Sequence, residues 1–205
     1  MTILAKQAHC CSRKVQFPEM TESSPQIRVR LLSPESAQDD LAVDQIAQLI
    51  NTAYRVGEEG MWTSGTPRTT QKEVEVLVRV GEMATARCGE LVVGCVRVQS
   101  LDSNLGEFGM LAAAPDWQGA GIGRELVRFA EQTCTHRGHA TVQLELLVPR
   151  TWPHPVKEFL AEWYVRIGYR IVHRGVIEDS YPHLAPYLTS PCDFVIYHKK
   201  LLGLC

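Results

Sequence analysis

Apolar positions along this chain switch between two periods, and the switches predict its elements. Ile27-Arg28-Val29-Arg30-Leu31-Leu32 alternates and reads as a first strand. From Leu41 to Tyr54 the apolar residues Ile46, Leu49, Ile50 and Ala53 fall on one helical face, with Asp39 or Asp40 able to cap it. Residues 55–70 hold Gly57, Gly60, Gly65 and Pro67 and read as loop; Lys72 to Val80 returns to helical spacing through Val74, Leu77 and Val78. Glu82 to Val98 reads as two strands around the turn Cys88-Gly89-Glu90. Leu101 to Leu105 is a turn, and Glu107 to Ala114 the next strand.

The stretch Phe108 to Glu131 is the most informative. Ala112 to Ala114 would be helical by propensity alone, but Pro115 disfavours helix at the residue before it. Gly119, Gly121 and Gly123 then make a turn, and Leu126, Val127, Phe129 and Ala130 recur at helical spacing, in a helix reaching about His136 and stopped by Gly138. Ala140 to Val148 is strand-like. Val156 to Ile167 is helical with Phe159, Leu160, Trp163 and Tyr164 on a broad face, and Gly168 ends it. Tyr169 to Ile177 and Cys192 to Lys199 are the last strands, joined by an aromatic, proline-bearing loop. The order is β-α-α-β-β-β-α-β-α-β-β. Short early turns require antiparallel neighbours, and the central strand–helix–strand crossover favours a parallel pair. An α/β domain with a mixed, mostly antiparallel central sheet flanked by helices is expected over residues 27–205, with residues 1–26 as a flexible tail.

Composition narrows the function classes. A chain of 205 residues suits one domain, and a formal net charge of −2 leaves no nucleic-acid or membrane footprint. No apolar run reaches a membrane span. The 7 cysteines are scattered without a Cys-x-x-Cys pair, which argues against a disulfide framework or a zinc site and for a reducing, cytoplasmic setting. The histidines show no metal-ligand spacing, so no metal is expected.

The glycine turn carries the chemistry. Alternate glycines let the backbone turn sharply and present N–H groups at a helix N-terminus, where the macrodipole favours an anion. Arg124 adds a cation there. A P-loop would need Gly-Lys-Ser/Thr, but Gly123 is followed by Arg124 and Glu125. A dinucleotide fingerprint would need Gly-x-Gly-x-x-Gly near the start of a βαβ unit, and the spacing here is Gly119-x-Gly121-x-Gly123, late in the chain. Gln118-x-x-Gly121-x-Gly123 resembles the acetyl-CoA pyrophosphate loop of the GNAT superfamily of N-acetyltransferases. The element order is also that of the GNAT fold, and the resemblance covers about residues 27–200. A glycine turn without a ligand is the plain alternative.

The resemblance implies acetyl-CoA as co-substrate, its pyrophosphate on backbone N–H groups of Gln118, Gly119, Ala120, Gly121, Ile122, Gly123 and Arg124. The pantetheine arm would run along Leu111 to Ala114, with an N–H near Ala112 or Ala113 facing the thioester oxygen. Trp163-Tyr164-Val165-Arg166-Ile167-Gly168-Tyr169 resembles the family's Phe-Tyr-x-x-x-Gly-Phe, which makes Tyr164 the proton donor to the departing thiolate. Lys157 stands where many members have a cofactor-contacting Asn. Glu107 is the base candidate, with Glu145, Glu178 and Asp179 as alternatives. Tyr54, Arg55, Trp62, Arg68 and Tyr181 are candidates for the acceptor pocket, built from the early helix–loop and the late loop; an arginine there could receive a carboxylate or phosphate. Trp62 as plain core, with solvated arginines, is the bland alternative.

The activity so implied is direct acetyl transfer to a primary amine of a small molecule. Cys95 and Cys134 read as core residues, not acyl carriers. A protein or peptide acceptor is one rival; a non-catalytic acyl-CoA-binding or sensing module is another. A homodimer is compatible with the reading.

Overall fold

A computed structural model describes residues 26–201. The tail expected over residues 1–26 lies outside them apart from Gln26, as do Cys10, Cys11 and Cys205. The elements are β1 (Ile27–Leu31), α1 (Asp40–Gly57), α2 (Gln71–Arg79), β2 (Met83–Cys88), β3 (Leu91–Ser100), β4 (Leu105–Ala113), α3 (Ile122–His136), β5 (Thr141–Pro149), α4 (Pro155–Arg166), β6 (Arg170–Gly175), α5 (Ile177–Ser180) and β7 (Cys192–Lys200). The strands form one seven-stranded sheet in the order β1-β2-β3-β4-β5-β7-β6. Only β4 and β5 pair in parallel. The expected mixed, mostly antiparallel sheet is therefore found. Two details differ: the short α5 follows β6, and α1 runs past Tyr54 to Gly57.

Local chemistry sets the helix ends. Asp39 caps α1, its carboxylate accepting from the Ala42 N–H at 3.0 Å, and Thr70 caps α2 by accepting from the Glu73 N–H at 3.1 Å. Each helix then buries one stripe. Ile46, Ile50, Val74 and Val78 pack on Met83, Cys95 and Ala112 on one face of the sheet. Ile122, Leu126, Val127 and Ala130 of α3 pack on Val93, Val96 and Phe108 on the other. Full burial of such a side chain stabilises by about 1.5–3 kcal/mol.

The sheet is split at its centre. β4 and β5 pair at Leu105↔Thr141, Gly106↔Val142 and Glu107↔Gln143, then part. Each keeps its other neighbour: β5 pairs with β7 from Thr141 to Pro149, and β4 stays on β3 as far as Ala113. A bulge accompanies the parting. Cys95 faces Ala112 while Arg97 faces Gly109, so both Met110 and Leu111 stand opposite Val96. An extra residue bends its strand. Met110 adopts φ 47°, a left-handed conformation that costs a non-glycine residue about 1–3 kcal/mol. The bulge also flips the alternation, so that Glu107 and Ala112 both face α1 and α2.

Gly94 keeps this region together. A Cβ there would sit 2.6 Å from Ile122 Cγ2 and 2.9 Å from the Ala112 carbonyl oxygen. The second obstacle is backbone in the strand bordering the split and cannot swing aside. Gly94→Ala is expected to destabilise the fold by about 1–3 kcal/mol through overpacking, read as a lower denaturation midpoint. An unchanged midpoint would mean that α3 is not seated on β3 as described.

Candidate active site

The glycine turn lies at the mouth of the split. Gly119 has φ 83° and Gly121 φ 80°, so both positions require glycine. Gly121 is the N-cap of α3 and supplies no side-chain cap. The first intrahelical bond runs from the Glu125 N–H to the Gly121 carbonyl, which leaves the N–H groups of Ile122, Gly123 and Arg124 directed out of the helix end. Gln118, Ala120 and Arg124 are exposed around this turn. Gly123 has ordinary φ, and a Cβ there would meet only Trp163, at 3.8 Å. The turn thus offers an anion several backbone donors and no obstructing side chain.

Past Glu107 the β4 edge faces the gap. Ala114 donates to the Val93 carbonyl at 2.9 Å. Antiparallel alternation then turns the N–H and C=O of Ala113 away from β3, into the split, and turns those of Ala112 toward Cys95. Leu111, beside the bulge, is the neighbouring gap-side position. Ala112 contributes its buried side chain to the α1–α2 face instead.

Two carboxylates stand one after the other on the α1–α2 face, where the strands part. Glu107 is buried, and both its oxygens are taken: Gln99 Nε2 donates to Oε1 at 2.6 Å and Gln143 Nε2 donates to Oε2 at 2.7 Å. Those amides are themselves fixed, Gln99 accepting from Arg97 Nη2 at 2.6 Å and Gln143 bonding His198 Nε2 at 2.9 Å. Glu145 lies two residues beyond Gln143 on the same face, only half-buried, and accepts from the Tyr181 hydroxyl at 2.8 Å. Burial, then the negative charge of Glu107, pushes the Glu145 carboxyl up to about 7, against smaller opposing effects of the Tyr181 hydrogen bond and Arg97. Of the two, Glu145 has the access and the proton affinity of a base at neutral pH. Glu178 and Asp179 are exposed on α5.

Tyr164 enters from α4 on the opposite face, among Phe108, Trp163, Tyr169 and Tyr197. Burial and then the nearby phenols of Tyr54 and Tyr197 push its own phenol well up, so it holds its proton at neutral pH. Tyr54 is raised likewise, by burial first, then by the charge of Glu58, with Arg68 pulling the other way and Glu145 adding a small push. Tyr54 is therefore within electrostatic reach of Tyr164, Glu145 and Arg68.

The early and late loops close over this end. Trp62 bridges to Leu188 as an isolated antiparallel pair, Thr63 N donates to the Tyr187 carbonyl at 2.8 Å, and Thr189 N donates to the Met61 carbonyl at 3.0 Å. Beneath them Glu58 is buried, bonded by Lys157 Nζ at 2.6 Å and Trp62 Nε1 at 2.7 Å. Arg68 is packed over the rings of Trp62 and Tyr54, at 4.2 and 5.2 Å from their centroids.

Several expectations change. Lys157 is not presented to a cofactor: its buried ammonium is engaged by Glu58, 99 positions away in sequence. Arg55 is exposed in the last turn of α1, because that helix continues past Tyr54 and carries the side chain outward. Glu58 and Asn51 escaped the sequence reading. Asn51 Oδ1 accepts the backbone N–H groups of Arg68 and Thr69 at 2.8 and 3.1 Å and so fixes the Arg68 backbone; its side-chain amide to loop-backbone pairing leaves no local sequence signal. A hollow of about 490 Å³ lined by Arg28, Arg30 and Arg87 lies on β1–β2 and holds none of the candidate residues. Burial pushes the thiols of Cys95 and Cys192 up to about 12 and about 11, as unreactive thiols. Among the described residues no cluster of His, Cys, Asp or Glu could hold a metal ion, and no helix is long and apolar enough to cross a membrane.

Comparison with known proteins fits this geometry. Residues 79–171 match the sequence model of the acetyltransferase (GNAT) domain. No curated protein matches in sequence. Among solved structures, an aminoglycoside 6'-N-acetyltransferase complexed with coenzyme A superposes with a TM-score of 0.63 at 16% identity, over 87% of this chain and 99% of that one. Ard1 from Thermoplasma volcanium gives 0.61 at 16% identity, over 86% and 99%. A GNAT family acetyltransferase from Elizabethkingia anophelis with acetyl-CoA bound gives 0.51 at 18% identity, over 68% and 94%. At such identities the likeness speaks for the fold, and the match over residues 79–171 speaks for the family. Residues 79–171 thus resemble the GNAT acetyltransferase domain in sequence, within a chain that has the fold of solved GNAT acetyltransferases.

Proposed function

We propose that this protein is an acetyl-CoA-dependent N-acetyltransferase that acts on the primary amine of a small molecule. One observation carries the reading: the parting of β4 from β5 coincides with a glycine-capped helix N-terminus at its mouth. The side-chain-free turn at Gly121 and Gly123 suits a pyrophosphate, and the gap-facing N–H and C=O of Ala113 suit an extended amide arm. Bound acetyl-CoA supplies an acetyl group activated as a thioester.

The chain's own residues supply the rest. Glu145, kept basic by burial and then by the charge of Glu107, which Gln99 and Gln143 fix, accepts a proton from the substrate ammonium and so frees the amine that attacks. The N–H groups of Leu111 and Ala113 lie on the edge where an oxyanion would form. Tyr164, kept protonated by burial, donates to the departing thiolate. The nitrogen–carbon bond forms and the carbon–sulfur bond breaks; of the two protons that leave nitrogen, the first goes to Glu145 and the second, released once the bond has formed, restores the Tyr164 phenol that protonated the thiolate. The zipped loops around Trp62 and Tyr187 favour a small acceptor over a peptide, which would need an open groove. Residues 26–201 act here as one acetyltransferase domain.

Four variants test this. Gly121→Ala should weaken CoA binding at least tenfold by calorimetry, whereas Gly81→Ala, at φ 71° with open space around it, carries the same backbone strain and should bind normally. Equal affinities would remove the turn from the site. Tyr164→Phe should bind CoA normally and turn over about 10²- to 10⁴-fold more slowly; full turnover on an accepted amine would exclude Tyr164. Glu145→Gln should lose the rise in rate through about pH 7 that ionisation of the base imposes. The same group gives a sign for stability. Its folded pKa exceeds the ordinary carboxylate value, so its contribution is full below that value and is lost as pH climbs through about 7. Glu145→Gln should flatten that slope. An unaltered rate profile would return the base role to Glu107 or to solvent.

A further inference from the structure

The loop after α1 holds a cation without a matching anion. Glu58, Lys157 and Arg68 lie together, with side chains 4%, 6% and 20% exposed. They carry one negative and two positive charges. Lys157 takes Glu58 Oε1 at 2.6 Å, and Trp62 takes Oε2 at 2.7 Å. Arg68 Nε stands 3.4 Å from Oε2 without hydrogen-bond geometry, and Nε and Nη1 are both sealed from solvent with no hydrogen-bond partner among the described residues. A buried guanidinium with unmet donors is costly unless an anion completes it.

Everything around Arg68 holds it in place. Asn51 fixes its backbone, and its guanidinium packs against the rings of Trp62 and Tyr54. An arginine kept only as a surface charge would not be ordered on three sides. Its position relative to the chemistry is also defined. It packs on Tyr54, and Tyr54 lies within the electrostatic reach of both Glu145 and Tyr164. Arg97, not Arg68, is the cation that bears on Glu145. A proton acceptor for an ammonium, Glu145, and a positive charge, Arg68, are therefore both within reach of Tyr54. That arrangement complements a molecule with a cationic and an anionic end.

We infer that Arg68 binds a carboxylate of the acceptor, so that the amine acetylated by this protein is one that also carries a carboxylate. The inference rests on the acetyltransferase reading and adds the substrate class to it. A planar carboxylate suits the in-plane donors of a guanidinium packed against two rings.

The test compares matched amines. Glycine, β-alanine, 4-aminobutyrate and 6-aminohexanoate, with a set of α-amino acids, are assayed for CoA release against alkylamines of the same lengths. At least one carboxylated amine should exceed its alkylamine partner about 10- to 100-fold in kcat/KM, the worth of one charge-assisted hydrogen-bond set. Arg68→Met should erase that preference, chiefly through KM, and Arg68→Lys should restore part of it. Arg68→Met should melt no lower than wild type, since it removes the surplus charge and leaves Glu58 and Lys157 paired; a merely structural Arg68 would show the reverse. Alkylamines accepted as well as their carboxylated partners at every length overturn the inference and leave the acetyltransferase reading standing. CoA release with no amine contradicts that reading instead. Calorimetry then decides the inference: titrated into the protein with and without CoA, amino acids should bind more tightly than alkylamines, and equal affinities overturn it.

Discussion

Two parallel strands that stop pairing leave backbone N–H and C=O groups along both facing edges, and such groups are costly to bury without partners. β4 and β5 meet this constraint after Glu107 and Gln143. Neither strand unravels, because each is held on its far side, β4 by β3 and β5 by β7. The gap is therefore a rigid feature of the sheet, with a row of oriented polar groups on the β4 side. An extended amide-bearing molecule can satisfy them as an added strand would. The strained Met110 bulge belongs to the same arrangement, since it bends β4 and brings the Ala112 side chain onto the face of Glu107.

The split also separates the chemistry by face. The α3–α4 side brings the anion-binding turn and a protonated phenol in an apolar, aromatic setting. The α1–α2 side brings the carboxylates and the charged cluster under the loops. There one charge tunes another: Glu107, locked by two amides, is part of the reason Glu145 resists ionisation. Glu107, which looks like a base by its offset from the glycine turn, is thus a hydrogen-bonded carboxylate whose charge bears on Glu145. On the same side, the buried ammonium of Lys157 meets Glu58.

The fold was legible because its signals are local. Alternation at Ile27 to Leu31, the turn at Gly89, the glycines at 119 and 121 and the stop at Gly168 each act within a few residues, and the helix and strand order follows from them. The glycine turn before α3 and the place of Tyr164 on α4 were legible for the same reason, as short motifs at fixed spacing. The meeting of early and late loops was also anticipated. What stayed hidden depends on partners far apart in sequence. Nothing local marks Met110 for a positive φ, since that comes from the register of β3 on β4. Glu107 and Glu145 differ through Gln99, Gln143 and Tyr181, which only the folded sheet brings near. Arg55 and Arg68 looked alike in sequence; an added turn of α1 sends one outward, while Asn51 and two rings hold the other in.

The account's central claim is that the parted edge of β4 and the N-terminus of α3 together hold the acyl donor. Amide hydrogen exchange with and without saturating CoA tests it at the backbone groups concerned. Exchange is expected to slow at Leu111 to Ala113 and at Ile122 to Arg124, while the β1–β2 hairpin around Arg28 and Arg87 is unchanged. Protection confined to that hairpin and its hollow, with none along β4 or at the start of α3, would contradict the account.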